Sequence, residues 1–170
     1  MSEVICKRNA RTGIAPFDDQ TTGAVCLQNH VACARTRHDQ ARNAIAVVDD
    51  DRSIRNATQD LLKAAGYTTA TFGNATTFLD SPVRALVACL VADIRMPGMT
   101  GLDLHEYLAA SGAGIPTVII TAHPGQLTPE RACEAGITCF LIKPFAPDEL
   151  LECVRKAVVT SQRNRVTPKS

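Results

Sequence analysis

The chain predicts an α/β domain, a doubly wound parallel sheet of five strands covered by helices on both faces. Three observations lead there. Strand-like and helix-like segments alternate five times between residues 43 and 159, which argues for right-handed strand–helix–strand crossovers. The strand segments are continuous apolar runs rather than apolar/polar alternations, as expected of strands buried on both faces. Four of the runs also end in a polar, chemistry-bearing side chain: Val47-Val48-Asp49-Asp50, Ala88-Cys89-Leu90-Val91-Ala92-Asp93, Ile119-Ile120-Thr121 and Leu141-Ile142-Lys143-Pro144. Ligands of open α/β sheets bind at the carboxyl ends of strands.

Taken in order, Ala44–Val48 is the first strand. Asp51 or Ser53 can cap a helix whose apolar stripe is Ile54, Ala57, Leu61, Leu62 and Ala65, with Gly66 as its terminator. Tyr67–Phe72 is rich in β-formers and reads as the second strand. Asn74 opens a weak helix to Asp80, with Phe78 and Leu79 turned inward. The third strand lies within 85–92. Gly101 opens a helix with Leu104, Tyr107 and Leu108 on one side, and Pro116–Thr121 is dense in β-branched residues and forms the fourth strand. Thr128-Pro129-Glu130 has the cap, proline and acid order of a helix start, and Gly136 ends that helix. Thr138–Ile142 is the fifth strand. The last helix starts at Pro147-Asp148-Glu149 and carries Leu150, Leu151, Val154 and Val158 on one stripe. Its early acids and late Arg155/Lys156 suit the helix dipole.

The 170 residues, 45% of them apolar, suffice for one domain with a core. Aromatic residues make up only 4% of the chain and Trp is absent, so that core must be aliphatic. The net charge of +1 makes no case for nucleic acid. Residues 43–159 carry net −4 and the flanks net +5. Residues 1–42 show no sustained period and read as a flexible extension, and residues 160–170 read as a polar tail. Within the extension, Cys26, His30, Cys33 and His38 could be taken for zinc ligands. Their spacing is too compressed for two tight pairs joined by a long loop, which favours incidental thiols and imidazoles. No run is long enough to span a bilayer and the start carries no apolar secretion signal, so a cytoplasmic protein is expected. Its seven cysteines are then expected to be reduced, with Cys89, Cys139, Cys133 and Cys153 as small buried hydrophobes.

The strand-end residues suit phosphate and a hard cation. Mg2+ takes oxygen ligands, usually with only one or two carboxylates, and Asp50 with Asp93 plus a backbone carbonyl would satisfy it. Asp93 can then act as a nucleophile toward phosphorus, with the metal and Lys143 neutralising the transferring group and Thr121 donating to a phosphoryl oxygen. Each piece also has a plainer role: an Asp pair can cap a helix, Asp51 is a cap or solvated acid, a Thr can simply end a strand, and a Lys before Pro can be surface charge. Their joint order, each at the end of its own strand, carries the reading.

Val47-Val48-Asp49-Asp50, Asp93 with Met96-Pro97-Gly98-Met99-Thr100-Gly101, Thr121-Ala122 and Lys143-Pro144-Phe145 together resemble the receiver domain of two-component response regulators. The resemblance covers about residues 43–159. It implies the flavodoxin-like receiver fold, strand order 2-1-3-4-5 with five helices. It also implies that Asp93 accepts a phosphoryl group from a histidine kinase or histidine phosphotransferase. Asp49 and Asp50 match the family's acidic pair for Mg2+, Asp50 as direct ligand and Asp49 through water, and the Arg95 carbonyl completes the shell. Thr121 and Ala122 hold phosphate, Thr121 being the switch hydroxyl. Lys143 is the phosphate-pairing lysine, and its bond to Pro144 is cis. Phe140 matches the switch aromatic, where Tyr is common; the alternative is a plain core residue. Arg95 and His123 match positions that tune phosphate lifetime by shielding the acyl phosphate; the alternative is two solvated loop residues.

Most receivers are followed by an output domain, whereas this chain stops within about a dozen residues of its last helix, so a stand-alone receiver is expected. The resemblance implies a phosphoacceptor open to autodephosphorylation rather than an enzyme turning over an external substrate. It would signal to a downstream protein, or to a second copy of itself, through helix 4, strand 5 and helix 5. Three rivals remain. A small-substrate aspartyl-phosphate phosphatase usually has a second acid two residues after its nucleophile, where this chain has Arg95. A flavodoxin-like cofactor module needs a Ser/Thr/Gly-rich loop after strand 1, where Asp49-Asp50-Asp51 would repel phosphate. A degenerate receiver acting as a non-phosphorylated scaffold would not need the intact set of groups.

Overall fold

The computed structural model describes residues 44–122, 125 and 127–166. The elements in chain order are β1 (Ala44–Val48), α1 (Arg52–Ala64), β2 (Thr69–Phe72), α2 (Ala75–Leu79), a 3-10 turn (Pro82–Leu86), β3 (Val87–Asp93), α3 (Gly101–Ala110), β4 (Thr117–Thr121), α4 (Pro129–Glu134), β5 (Cys139–Ile142) and α5 (Pro147–Val166). All strands pair in parallel in the order β2-β1-β3-β4-β5. The expected fold class, strand order and five helices are therefore present.

Alternate residues of the buried strands serve opposite faces. Ala46, Val48, Leu90, Ala92 and Ile119 meet Phe78 of α2, Leu104 and Leu108 of α3 and Ala132 of α4. Ile45, Val47, Val91, Val118 and Ile120 meet Leu62 of α1 and Leu150, Val154 and Ala157 of α5. Phe78 is fully buried and its ring stands edge-on to that of Phe72 at 5.3 Å, within a core that is otherwise largely aliphatic.

The helix starts follow local chemistry. Asp51 caps α1, accepting from the Ser53 and Ile54 amides, and Asn74 caps α2. Thr100 and Asp103 form a reciprocal capping box at α3, and Thr128 caps α4 ahead of Pro129. These groups satisfy amides that a helix start otherwise leaves without partners.

Several expectations are corrected by packing. In α1 the buried residues are Thr58 and Leu62, while Ala57 and Ala65 are exposed, so the inward stripe is rotated from the one read off the sequence. In α3, Tyr107 points out, half exposed, and His105 takes the inward place. Its Nδ1 lies 2.9 Å from the Thr117 hydroxyl and its Nε2 2.9 Å from the Ala135 carbonyl. A carbonyl only accepts, so Nε2 carries a proton. The side chain thus ties α3 to β4 and to the end of α4. β2 begins at Thr69, two residues later than expected, and α5 continues to Val166 through residues whose polarity suggested a tail. Ser161 in that extension is buried, and Thr160 donates to the Lys156 carbonyl.

The cysteines depart furthest from expectation. Cys139 of β5 and Cys153 of α5 are joined by a disulfide, with Cα atoms 5.6 Å apart. Composition speaks for the redox compartment, whereas the bridge depends on two elements that the fold sets face to face. Cys89 is a buried free thiol whose pKa burial pushes well up, in keeping with a small hydrophobe. The extension at 1–42, with Cys26, His30, Cys33 and His38, lies outside the described residues, as does His123.

Candidate functional site

Register brings the strand ends together. Val48 lies opposite Ala92, Asp93 opposite Ile120, and Thr121 opposite Ile142. Asp49, Asp93, Thr121 and Lys143 consequently share one edge of the sheet, although the outer two are 94 residues apart.

Asp93 ends β3 and is 7% exposed. Its Oδ1 accepts from Lys143 Nζ at 2.8 Å, and its Oδ2 accepts from the Arg95 amide at 2.7 Å. Asp49 is equally buried. Its Oδ1 accepts from the Asp51 amide at 2.8 Å, and its Oδ2 stands 3.4 Å from the same Lys143 Nζ. One ammonium thus spans two inward carboxylates. Asp50 is exposed beside them, and Thr121 is buried at the end of β4.

Burial pushes the Asp49 carboxyl up and the negative charge of Asp93 adds to this, against the opposing pull of the Asp51 amide and Lys143. For Lys143, burial alone would lower the pKa. The hydrogen bond to Asp93 and the charges of both acids outweigh it, so its pKa is raised and the ammonium form is secured. Two carboxylates against one ammonium leave a surplus negative charge, a donor set that fits a hard divalent ion. Among the described residues, no group of three or more His, Cys, Asp or Glu side chains is gathered for a metal. A cation at this edge would therefore draw on one or two carboxylates, backbone oxygen and water.

The loop after Asp93 is held from below. Ile94 and Met96 are buried in the core, the Ile94 amide donates to the Ile120 carbonyl, and the Gly101 amide returns to the Ile94 carbonyl at 3.2 Å. A Cβ on Gly101 would stand 2.3 Å from the Asp93 carbonyl oxygen, so this close approach needs glycine. On the opposite side, Lys143–Pro144 is cis, as expected, and the Lys143 amide donates to the Thr121 carbonyl at 2.8 Å.

Of the other expected site residues, Ala122 is exposed after β4, and the Arg95 side chain is exposed while its amide holds Asp93. Phe140 is partly buried on the α2–α3–α4 side of the sheet. Arg55 went unnoticed in the sequence. From the first turns of α1 its guanidinium reaches back to the carbonyls of Asp49 and Asp50, pinning the acidic turn. An arginine four residues after Asp51 was the available signal, one that looks the same as any solvated helix charge.

An acid at the end of the central strand, an acidic turn on one side and a lysine on the other, on a 2-1-3-4-5 parallel sheet, define a receiver-type domain. The chain belongs to the response regulator receiver domain family, whose model matches residues 45–155. Members of this family are phosphoacceptors of two-component systems, phosphorylated by histidine kinases, and Mg2+ is typical of them. Among curated proteins the chain is similar to the response regulator protein TodT of Pseudomonas putida, 34% identical over 130 residues, covering 76% of this chain and 57% of that protein. It is also similar to nodulation protein W of Bradyrhizobium diazoefficiens, 36% identical over 121 residues, covering 71% and 53%. The chain thus spans little more than half the length of these relatives. Among solved structures, the response regulator StyR superposes with a TM-score of 0.67 at 40% identity, over 74% of this chain and 64% of StyR. FixJ-N superposes with a TM-score of 0.61 at 29% identity, over 69% and 94%.

Proposed function

We propose that Asp93 of this chain accepts a phosphoryl group from a phosphohistidine of a histidine kinase or phosphotransferase in a Mg2+-dependent reaction. An Asp93 carboxylate oxygen forms the new bond to phosphorus, the N–P bond breaks, and its electron pair returns to the imidazole. The observation that carries this reading is the single Lys143 ammonium held between Asp93 at 2.8 Å and Asp49 at 3.4 Å. It fixes the orientation of the acceptor carboxylate and places positive charge where phosphoryl oxygens gather. Asp50, Asp93 and the Arg95 carbonyl would hold Mg2+ directly and Asp49 through water, and the ion when bound supplies further positive charge to the transferring group. Thr121 and Ala122, at the end of β4, border the same space and would donate to the phosphoryl oxygens.

The outcome of phosphorylation is read through Thr121 and Phe140 on the α4–β5–α5 face, to a downstream protein or a second copy. Large apolar residues lie open there: Ile142 is 43% and Val159 46% exposed. Arg95, exposed beside Asp93, and His123 shield the acyl phosphate from water; the Arg95→Ala/His123→Ala protein should then lose its phosphate faster than the wild type. Among the described residues no helix is long and apolar enough to cross a membrane.

The test is intact mass after incubation with acetyl phosphate and with a phosphorylated histidine phosphotransferase. One phosphoryl group, absent without Mg2+ and absent in Asp93→Asn, is expected. A folded protein that stays unmodified by both donors would overturn the reading in favour of a non-phosphorylated scaffold.

A further inference from the structure

We propose that Cys139 and Cys153 form a reversible thiol–disulfide modification site that clamps the catalytic-lysine segment to α5. The bridge spans 14 residues of sequence and closes a ring that contains Lys143, Pro144 and Phe145. Its Cα separation of 5.6 Å sits in the middle of the range that disulfides occupy, so the backbone can keep one arrangement in both redox forms. β5 is an edge strand, and Cys139 on it is only partly buried. A small-molecule disulfide can therefore reach Cys139, whereas Cys89, wholly enclosed and with its thiol pKa pushed up by burial, stays inert. Cys153 lies behind Cys139 on the core side of α5, beside Leu150, Val154 and Ala157.

The exchange balances with glutathione disulfide as oxidant. The Cys139 thiolate attacks one glutathione sulfur, the S–S bond breaks, and one glutathione leaves. The Cys153 thiolate then attacks Cys139 Sγ and expels the second glutathione. The two thiol protons of the protein end on the two glutathione molecules, and two electrons pass from protein to oxidant.

Cys139 faces α5 while the next residue, Phe140, faces the α2–α3–α4 side, so the bridge grips the strand at its switch position from behind. In the oxidised form the edge strand and α5 move as one piece. The consequence for signalling rests on the phosphoacceptor reading of Asp93. The clamp itself does not.

The test takes the full chain through graded ratios of glutathione disulfide to glutathione, with alkylation and peptide mapping under non-reducing conditions. Melting and hydrogen exchange are then measured on both forms. A Cys139–Cys153 bridge that reverses with reduction is expected. It should raise Tm by about 10 °C, by the loop-closure scale for a ring of this size. Amide exchange across 139–153 should slow by about fivefold or more. The change in exchange on β5 and α5 that beryllofluoride with Mg2+ induces in the reduced protein should fall to about half or less. Cys139→Ser and Cys153→Ser, with Cys139→Ala/Cys153→Ala as a second design should either serine disturb folding, should show none of these redox differences. Absence of a 139–153 bridge at every ratio overturns the proposal, as does a bridge that leaves Tm and exchange unchanged. A reduced protein that neither takes up phosphate nor responds to beryllofluoride refutes the role of Asp93, while bridge, Tm and exchange still decide the clamp.

Discussion

Gly101→Ala tests whether the close approach of α3 to the end of β3 positions Asp93. An added Cβ would stand 2.3 Å from the Asp93 carbonyl oxygen, 3.0 Å from its carbonyl carbon and 3.3 Å from Ala92 Cβ. A carbon and an oxygen in ordinary contact are roughly 3.3 Å apart, so something must move by about 1 Å. Neither side yields easily. Asp93 and Ile94 are locked to β4, the Ile94 amide donating to the Ile120 carbonyl at 3.0 Å, and Gly101 is bonded back to Ile94. Overpacking of this kind costs about 1–3 kcal/mol, and backbone on both sides places Gly101 at the upper end. The helix-propensity gain of Ala over Gly, up to about 1 kcal/mol, offsets part of it. A net loss of about 2 kcal/mol is expected in urea denaturation. A carboxylate displaced by about 1 Å from Lys143 should also slow phosphorylation by acetyl phosphate by roughly a hundredfold. Gly73→Ala is the control: its Cβ would meet only Arg55 Nη1, at 3.7 Å, and it should stay within about 0.5 kcal/mol of wild type. A Gly101→Ala protein as stable and as readily phosphorylated as Gly73→Ala would refute the reasoning.

Three other outcomes rest on the same geometry. Lys143→Ala leaves Asp49 and Asp93 facing one another without their shared cation. Discounted for a side chain 19% exposed, a loss of about 2 kcal/mol is expected in metal-free buffer, and Mg2+ should restore more stability to this variant than it adds to wild type; equal Mg2+ effects would count against a shared pocket. Asp49 has a native pKa raised above its ordinary 3.8, so the folded state binds the proton more tightly than the unfolded chain, and the cost of ionising Asp49 grows as pH rises. Metal-free Asp49→Asn should accordingly melt above wild type near pH 7, by a margin that shrinks on acidification through the native pKa; a margin that widens would reverse the assigned cause. His105→Leu removes both polar contacts of a buried ring and leaves the Ala135 carbonyl without that donor, a loss of about 1–3 kcal/mol in urea denaturation, and an unchanged midpoint would show that the His105 contacts do not hold α3 to α4.

The sequence by itself determined the order of elements, their caps and the four strand ends that carry chemistry. Apolar runs, glycine and proline placement and the Asp, Asn and Thr caps are local signals, each complete within a few residues, and the parallel pairing built on them carries Asp49, Asp93, Thr121 and Lys143 to one edge. The tertiary structure decided what depends on distances between elements. It turned Asp49 inward and left Asp50 exposed, set Asp49 and Asp93 on one lysine, and brought Arg55 back onto the acidic turn. It chose Thr58 over Ala57, and His105 over Tyr107, as core-facing residues. A helical stripe read from hydrophobicity cannot rank a histidine such as His105, whose hydrogen-bond partners Thr117 and Ala135 lie outside its own helix, because those partners are not in the window being read. The Cys139–Cys153 bridge has the same origin: two cysteines in different elements become a pair only when packing brings their Cα atoms to 5.6 Å.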